Sequence, residues 1–174
     1  MIPGNDKIPH TRAFVLAGTN IRPESHLKAA VRQLRNRTTV SGLSTVYQTK
    51  PVGLEDQPDF LNVAIELRTE RDAHELRTLL KSIEQELGRD RSGPRNGPRK
   101  IDLDLVLFGQ EIIHDDQLNI PDPDVTGHAH AAIPLAELAP AFIHPEEDRT
   151  MSDIADDVPD QANLTPRPDV LLSG

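Results

Sequence analysis

FLNVAIELR, residues 60 to 68, alternates without a break: Leu61, Val63, Ile65 and Leu67 fall on one face of an extended chain, and Phe60, Asn62, Ala64 and Glu66 on the other. Such alternation marks a strand packed on one face only, which antiparallel sheets permit. One face builds a core; the other is free for polar chemistry.

Directly downstream, Asp72 and Glu75 make a capping-box pattern, and Leu76, Leu79, Leu80, Ile83 and Leu87 form an apolar stripe ending at Gly88, the expected C′ residue. This spacing predicts a helix. Upstream, TTVSGLSTVYQT (38 to 49) predicts a strand broken near Gly42, and KPVGLEDQPD (50 to 59) a turn-rich link. Earlier still, RAFVLAGT (12 to 19) predicts a first strand, and Pro23 opens a helix on which Leu27, Ala30, Val31 and Leu34 recur at helical spacing. Past Gly88, a Gly-, Pro- and Arg-rich segment to residue 100 predicts a surface loop, and Ile101 to Phe108 one more strand. The order β-α-β-β-α-β is that of an α+β, ferredoxin-like sandwich with an antiparallel sheet. Beyond Gly109 the chain reads as less regular C-terminal additions, including the apolar AAIPLAELAP and the Asp- and Pro-rich DDVPDQANLTPRPD. Roughly the last ten residues are expected to be loose.

Composition narrows the chemistry. A chain of 174 residues suits one domain that buries its core without crosslinks. The absence of cysteine excludes disulfides, thiolate zinc sites and a cysteine nucleophile. A net charge of -9, from 28 acidic and 19 basic residues, argues against a nucleic-acid surface. The opening MIPGNDKIPH lacks the apolar run of a signal peptide, and no stretch approaches the roughly 20 apolar residues that span a membrane. The expectation is a cytoplasmic monomer with neither membrane nor nucleic-acid partners.

Within the last predicted strand, Asp102 and Asp104 interrupt the apolar run at alternate positions, so both carboxylates lie on one face with Cα atoms roughly 6.6 Å apart. Ile101, Leu103, Leu105 and Leu107 then face the helices. Taken alone, that spacing is more often the solvated face of a sheet. However, Arg89, Arg91, Arg95, Arg99 and Lys100 crowd the loop just before it. Carboxylates able to hold Mg²⁺ beside forked cations are what phosphoryl transfer requires. By itself the loop also suits a partner-binding or RNA-contacting segment, although no aromatic lies in it to stack bases. No GxxxxGK[ST] motif is present, so a nucleotide would be held by side chains.

GPRKIDLDLVLFG (97 to 109), DQPDFLN (56 to 62), IEQELGR (83 to 89) and VYQTKPVG (46 to 53) together resemble the 6-hydroxymethyl-7,8-dihydropterin pyrophosphokinases of folate biosynthesis. AGTN (17 to 20) resembles that family's N-terminal turn and IPLAELAP (133 to 140) its C-terminal segment, so the likeness runs from about residue 12 to 155 in the family's order. A single domain over 12–155 is expected, with an N-terminal extension at 1–11 and an acidic, Pro-containing tail at 156–174. The resemblance implies transfer of the β,γ-diphosphate of MgATP to the pterin hydroxymethyl group, with release of AMP. It implies that Asp102 and Asp104 hold two Mg²⁺ ions and that Arg89 and Arg99 are catalytic. Glu84, Arg89, Arg91, Arg99 and His128 would contact the nucleotide, and Thr49, Val52, Phe60, Asn62 and His130 the pterin.

The third part departs from the family pattern. IPDPDVTGHAHAAIPL places Asp122 where the family has His, His128 where it has Arg, and His130 where it has an aromatic. Read as extended chain, HAH puts two imidazoles on one strand face. Lys50 replaces a small or apolar residue and Asn96 an aromatic. These changes leave open a divergent paralogue acting on a related reduced pterin, and a weakly catalytic pterin- or nucleotide-binding module.

Overall fold

The computed structural model describes residues 10–51, 56–88 and 101–172. Strand β1 (Thr11–Thr19) leads into α1 (Pro23–Arg37), then β2 (Thr39–Leu43), β3 (Tyr47–Thr49), β4 (Phe60–Thr69), α2 (Ala73–Glu86) and β5 (Asp102–Phe108). This is the expected order, with the broken strand appearing as β2 and β3. There follow β6 (Ile113–His114), β7 (Asn119–Ile120), α3 (Asp124–Gly127), α4 (Ala129–Leu138), α5 (Met151–Asp157) and β8 (Leu164–Pro166). Among the described residues the main sheet has the order β5-β1-β4-β3-β8, with β2 also paired to β4. Every pairing in it is antiparallel.

One face carries the larger core. Leu61, Val63, Ile65 and Leu67 of β4 meet Leu27 and Leu34 of α1 and Leu76 and Leu80 of α2, all at most 3% exposed. Each such burial contributes roughly 1.5–3 kcal/mol. Helix α2 starts at the expected capping box, where Glu75 N donates to Asp72 Oδ1 at 2.8 Å. Past its end Gly88 takes φ 82°, a left-handed conformation that a side chain would oppose.

The opposite face is only partly open, because the expected C-terminal additions pack on it. Helices α4 and α5 cover one end of it, packing Ala132, Leu135, Met151 and Ile154 over Phe14 and Ala64. The register between β1 and β5 shifts at Phe14/Val15, so Val106 has no partner of its own in the β1 ladder. Val106 and Leu107 consequently both join this second core. Leu107 therefore does not face α1 and α2, as alternation had suggested.

The C-terminal segment is also built in, contrary to the expected loose end. β8 pairs with β3, matching Leu164 with Thr49 and Pro166 with Tyr47. Arg167 N then donates to Val46 O at 2.7 Å, and Val170 and Leu172 enter the larger core. Apolar burial at the sheet edge overrides the disorder that the Asp and Pro content suggested.

Candidate active site

Where α4 and α5 stop, the sheet is left bare as the floor of a cleft of about 220 Å³. Register decides which side chains share it. Asn62 of β4 lies opposite Gly18 of β1, and Gly18 opposite Asp102 of β5. The next row on the same face runs Ala64, Leu16, Asp104. Asn62 and Asp102 are therefore two strand spacings apart, about 10 Å. Thr49 pairs with Phe60 alongside, and Asn62 Nδ2 donates to Thr49 Oγ1 at 2.7 Å. This bond lays the amide over Gly18: a Cβ there would stand 2.9 Å from Asn62 Oδ1. Gly18 thus keeps the middle of the row low.

The two aspartates repel each other at the far end of the row. Enclosure by the cleft walls, followed by the charge of Asp102 and a bond shared with it, pushes the Asp104 carboxyl up to about 8, with Lys81 opposing. Asp104 still has a solvent-facing surface at the cleft floor. A hard divalent cation is the natural relief for such a pair. Mg²⁺ characteristically takes one or two carboxylates and completes its shell with phosphate and water oxygens. The pair Asp102 and Asp104, two carboxylates on one face of β5 lining the cleft, fits that pattern.

The second wall comes from the segment that departs from the family pattern. His128 is the N-cap of α4 and His130 lies within that helix, so the imidazoles do not sit on a strand. They nevertheless stack, with ring centroids 5.3 Å apart at 27°. His130 Nε2 lies 3.8 Å from Asp124 Oδ2, and the His130 ring holds the Asp124 carboxyl below its usual range. Burial raises Asp122, against a bond from Asp124 N to its Oδ1. The C-terminal segment supplies the last part of the wall. Asp160 Oδ1 accepts from Ala129 N at 3.2 Å, and Asn163 and Leu164 line the cleft beside it.

The structure brings together Thr49, Phe60, Asn62, Asp102, Asp104 and His130. His128 stands behind His130 and does not line the cleft. Glu84 does not line it either; it is 1% exposed, and Lys81 Nζ is 3.0 Å from its Oε1. Val52, Arg89, Arg91 and Arg99 lie outside the described residues, as does Asn96. Sequence reasoning missed Gly18 as a spacer, although AGTN marked its turn, and missed Asp160, Asn163 and Leu164. No local signal announces those three, because the pairing of Leu164 with β3 and the bond from Ala129 N to Asp160 bring the segment in.

Charge in the cleft is lopsided. Asp102, Asp104, Asp122, Asp124 and Asp160 line it, against Lys50 and His130 among the described residues. Phosphates would enter this cleft only with cations to screen them.

The profile described as 7,8-dihydro-6-hydroxymethylpterin-pyrophosphokinase matches residues 14–140. The 2-amino-4-hydroxy-6-hydroxymethyldihydropteridine pyrophosphokinase of Bacillus subtilis is 43% identical over 129 residues, covering 72% of this chain and 77% of that protein. The protein of the same name from Haemophilus influenzae is 37% identical over 137 residues, covering 76% and 84%. Among solved structures, wild-type Plasmodium falciparum HPPK-DHPS with STZ-DHP matches with a TM-score of 0.68 at 14% identity, over 84% of this chain. At that identity the likeness speaks for the fold. The chain spans 43% of that solved protein's length.

Proposed function

The chain belongs to the 7,8-dihydro-6-hydroxymethylpterin-pyrophosphokinase family, and we propose that it transfers diphosphate from ATP to the hydroxymethyl group of 6-hydroxymethyl-7,8-dihydropterin, releasing AMP, as a diphosphotransferase of folate biosynthesis. The observation that carries this reading is the row Asn62–Gly18–Asp102, with Asp104 beside it. An amide able to grip a heterocycle stands about 10 Å from a carboxylate pair, with nothing larger than a glycine between them.

In this reading Asn62, aimed by Thr49, hydrogen-bonds the polar edge of the ring, and Phe60 packs on its face. The hydroxymethyl group then points along the row toward Asp102 and Asp104. Holding the hydroxyl in line with the β-phosphorus converts an encounter into a step within one complex. Asp102 and Asp104 would hold two Mg²⁺ ions, which when bound would supply charge screening for the phosphates and make the phosphorus more electrophilic. Arg89 and Arg99, with Arg91, supply forked donors to phosphate oxygens as AMP leaves. His130 replaces the family's aromatic as a flat wall, held by its stack with His128. No described helix is long and apolar enough to cross a membrane, and we take the enzyme to act as a cytoplasmic monomer.

The test is AMP release from MgATP and 6-hydroxymethyl-7,8-dihydropterin, beside a panel of other reduced pterins. AMP formation well above a no-enzyme control with the first substrate supports the reading. AMP at the control rate with every pterin sinks it, and faster turnover on another pterin reassigns the substrate.

A further inference from the structure

We propose that residues 160–164, beyond the family match at 14–140, are part of the pterin-recognition surface, with Asn163 and Leu164 selecting the bicyclic ring. The inference rests on the cleft being a pterin diphosphokinase site. It begins from topology: β8 and β5 are opposite ends of the sheet order, four strand spacings or about 19 Å apart. A side chain at β8 therefore meets the end of the substrate remote from Asp102 and Asp104. That end is the ring.

The segment is held from both sides. Toward the helical layer, Asp160 adopts φ 56° and accepts from Ala129 N, while Gln161 Nε2 donates to Ala155 O, Asp156 O and Val158 O at 3.1–3.2 Å. Toward the sheet, Leu164 pairs with Thr49, and Thr49 with Phe60, so these three side chains form one row on the cleft face. Arg167 Nη1 then donates to Gln48 Oε1 at 2.9 Å, and Val170 and Leu172 are buried. A wall anchored this way keeps one shape for as long as β8 stays paired with β3.

Its chemistry suits the ring. Leu164 extends the apolar row that Phe60 begins, and Asn163 brings an amide able both to donate and to accept. The pyrimidinone edge of a pterin likewise carries donors and acceptors together. Asp160 has its Oδ1 engaged at α4, which leaves Asn163 as the adaptable polar group of the segment.

Two substitutions on the intact chain test this. Asn163→Ala should raise KM for the dihydropterin roughly 2- to 12-fold, the span of one neutral hydrogen bond, with KM for ATP and Tm unchanged. Leu164→Ala should shift kcat/KM by about 4-fold toward a dihydropterin carrying one extra ring methyl group, the value of one newly housed methylene. A gain of that kind cannot come from misfolding. With an active wild type, unchanged pterin KM and unchanged preference in the two variants overturn the inference. If the wild type releases no AMP, the functional reading fails first, and titration of the dihydropterin decides the rest. Weaker pterin binding by Asn163→Ala then retains the wall, whereas equal binding, or none by the wild type, removes it.

Discussion

Gly18→Ala separates folding from recognition. The new Cβ would stand 2.9 Å from Asn62 Oδ1, about 0.5 Å inside ordinary contact, and what it strikes is the end of a side chain rather than backbone. Asn62 can swing away, so the overpacking cost belongs at the low end of about 1–3 kcal/mol. Restriction of the unfolded chain returns roughly 0.4–1 kcal/mol. The net loss is about 0–2 kcal/mol, a fall in Tm of at most roughly 8 °C for a domain of this size. Recognition suffers more. Swinging Oδ1 off Gly18 also turns Nδ2 away from Thr49, ending the 2.7 Å bond that aims the amide. KM for the pterin should rise roughly 2- to 12-fold while KM for ATP stays put. Steady-state kinetics in both substrates and a melting curve check this. In an Asn62→Ala background the same change should add nothing, because the atom it displaces is gone. An unchanged pterin KM, or an equal penalty in the Asn62→Ala background, would refute the reasoning.

Asp102→Ala should lower kcat by roughly 10³-fold, the loss of several kcal/mol of charge stabilisation, and leave Tm equal or higher because a like charge beside Asp104 is removed. A collapse in Tm would show instead that Asp102 serves the core. Glu66 offers a test of pH dependence away from the site. Burial opposes its charge, but a bond from Ser41 and the Arg12 guanidinium at 2.6 Å prevail and hold its carboxyl below 4.5. A depressed carboxylate contributes stability above its unfolded value and loses it as pH falls through the folded one. Denaturation midpoints should therefore decline more steeply below about pH 4.5 in the wild type than in Glu66→Gln. Parallel declines would contradict the assignment.

Much of the first core was legible because its residues report on local geometry. Leu61 through Leu67 alternate, α2 carries its own cap and stop, and Asp102 and Asp104 sit where no core residue should. The second core was not legible. It depends on a bulge at Val106, which flips Leu107, and on α4, where Pro134 interrupts the helical pattern. His128 looks like strand beside His130 until Asp160, 32 residues on, meets the start of that helix. The wall at Asn163 and Leu164 is legible only through pairing with β3, and three residues of Leu, Thr and Pro carry no strand signal of their own.

Strand β4 has neighbours along both edges, β1 on one side and β2 and β3 on the other. Its amide hydrogens exchange with solvent only when the whole sheet comes apart, so the peptide carrying Asn62 belongs to the slowest-exchanging set in the molecule. Among the described residues β8 pairs with one strand, β3, through three residues, and exchanges through local opening. The cleft thus joins a floor with the lifetime of the fold to a wall with a much shorter one. Substrate bound against both spends part of its binding free energy slowing the wall, and almost none on the floor.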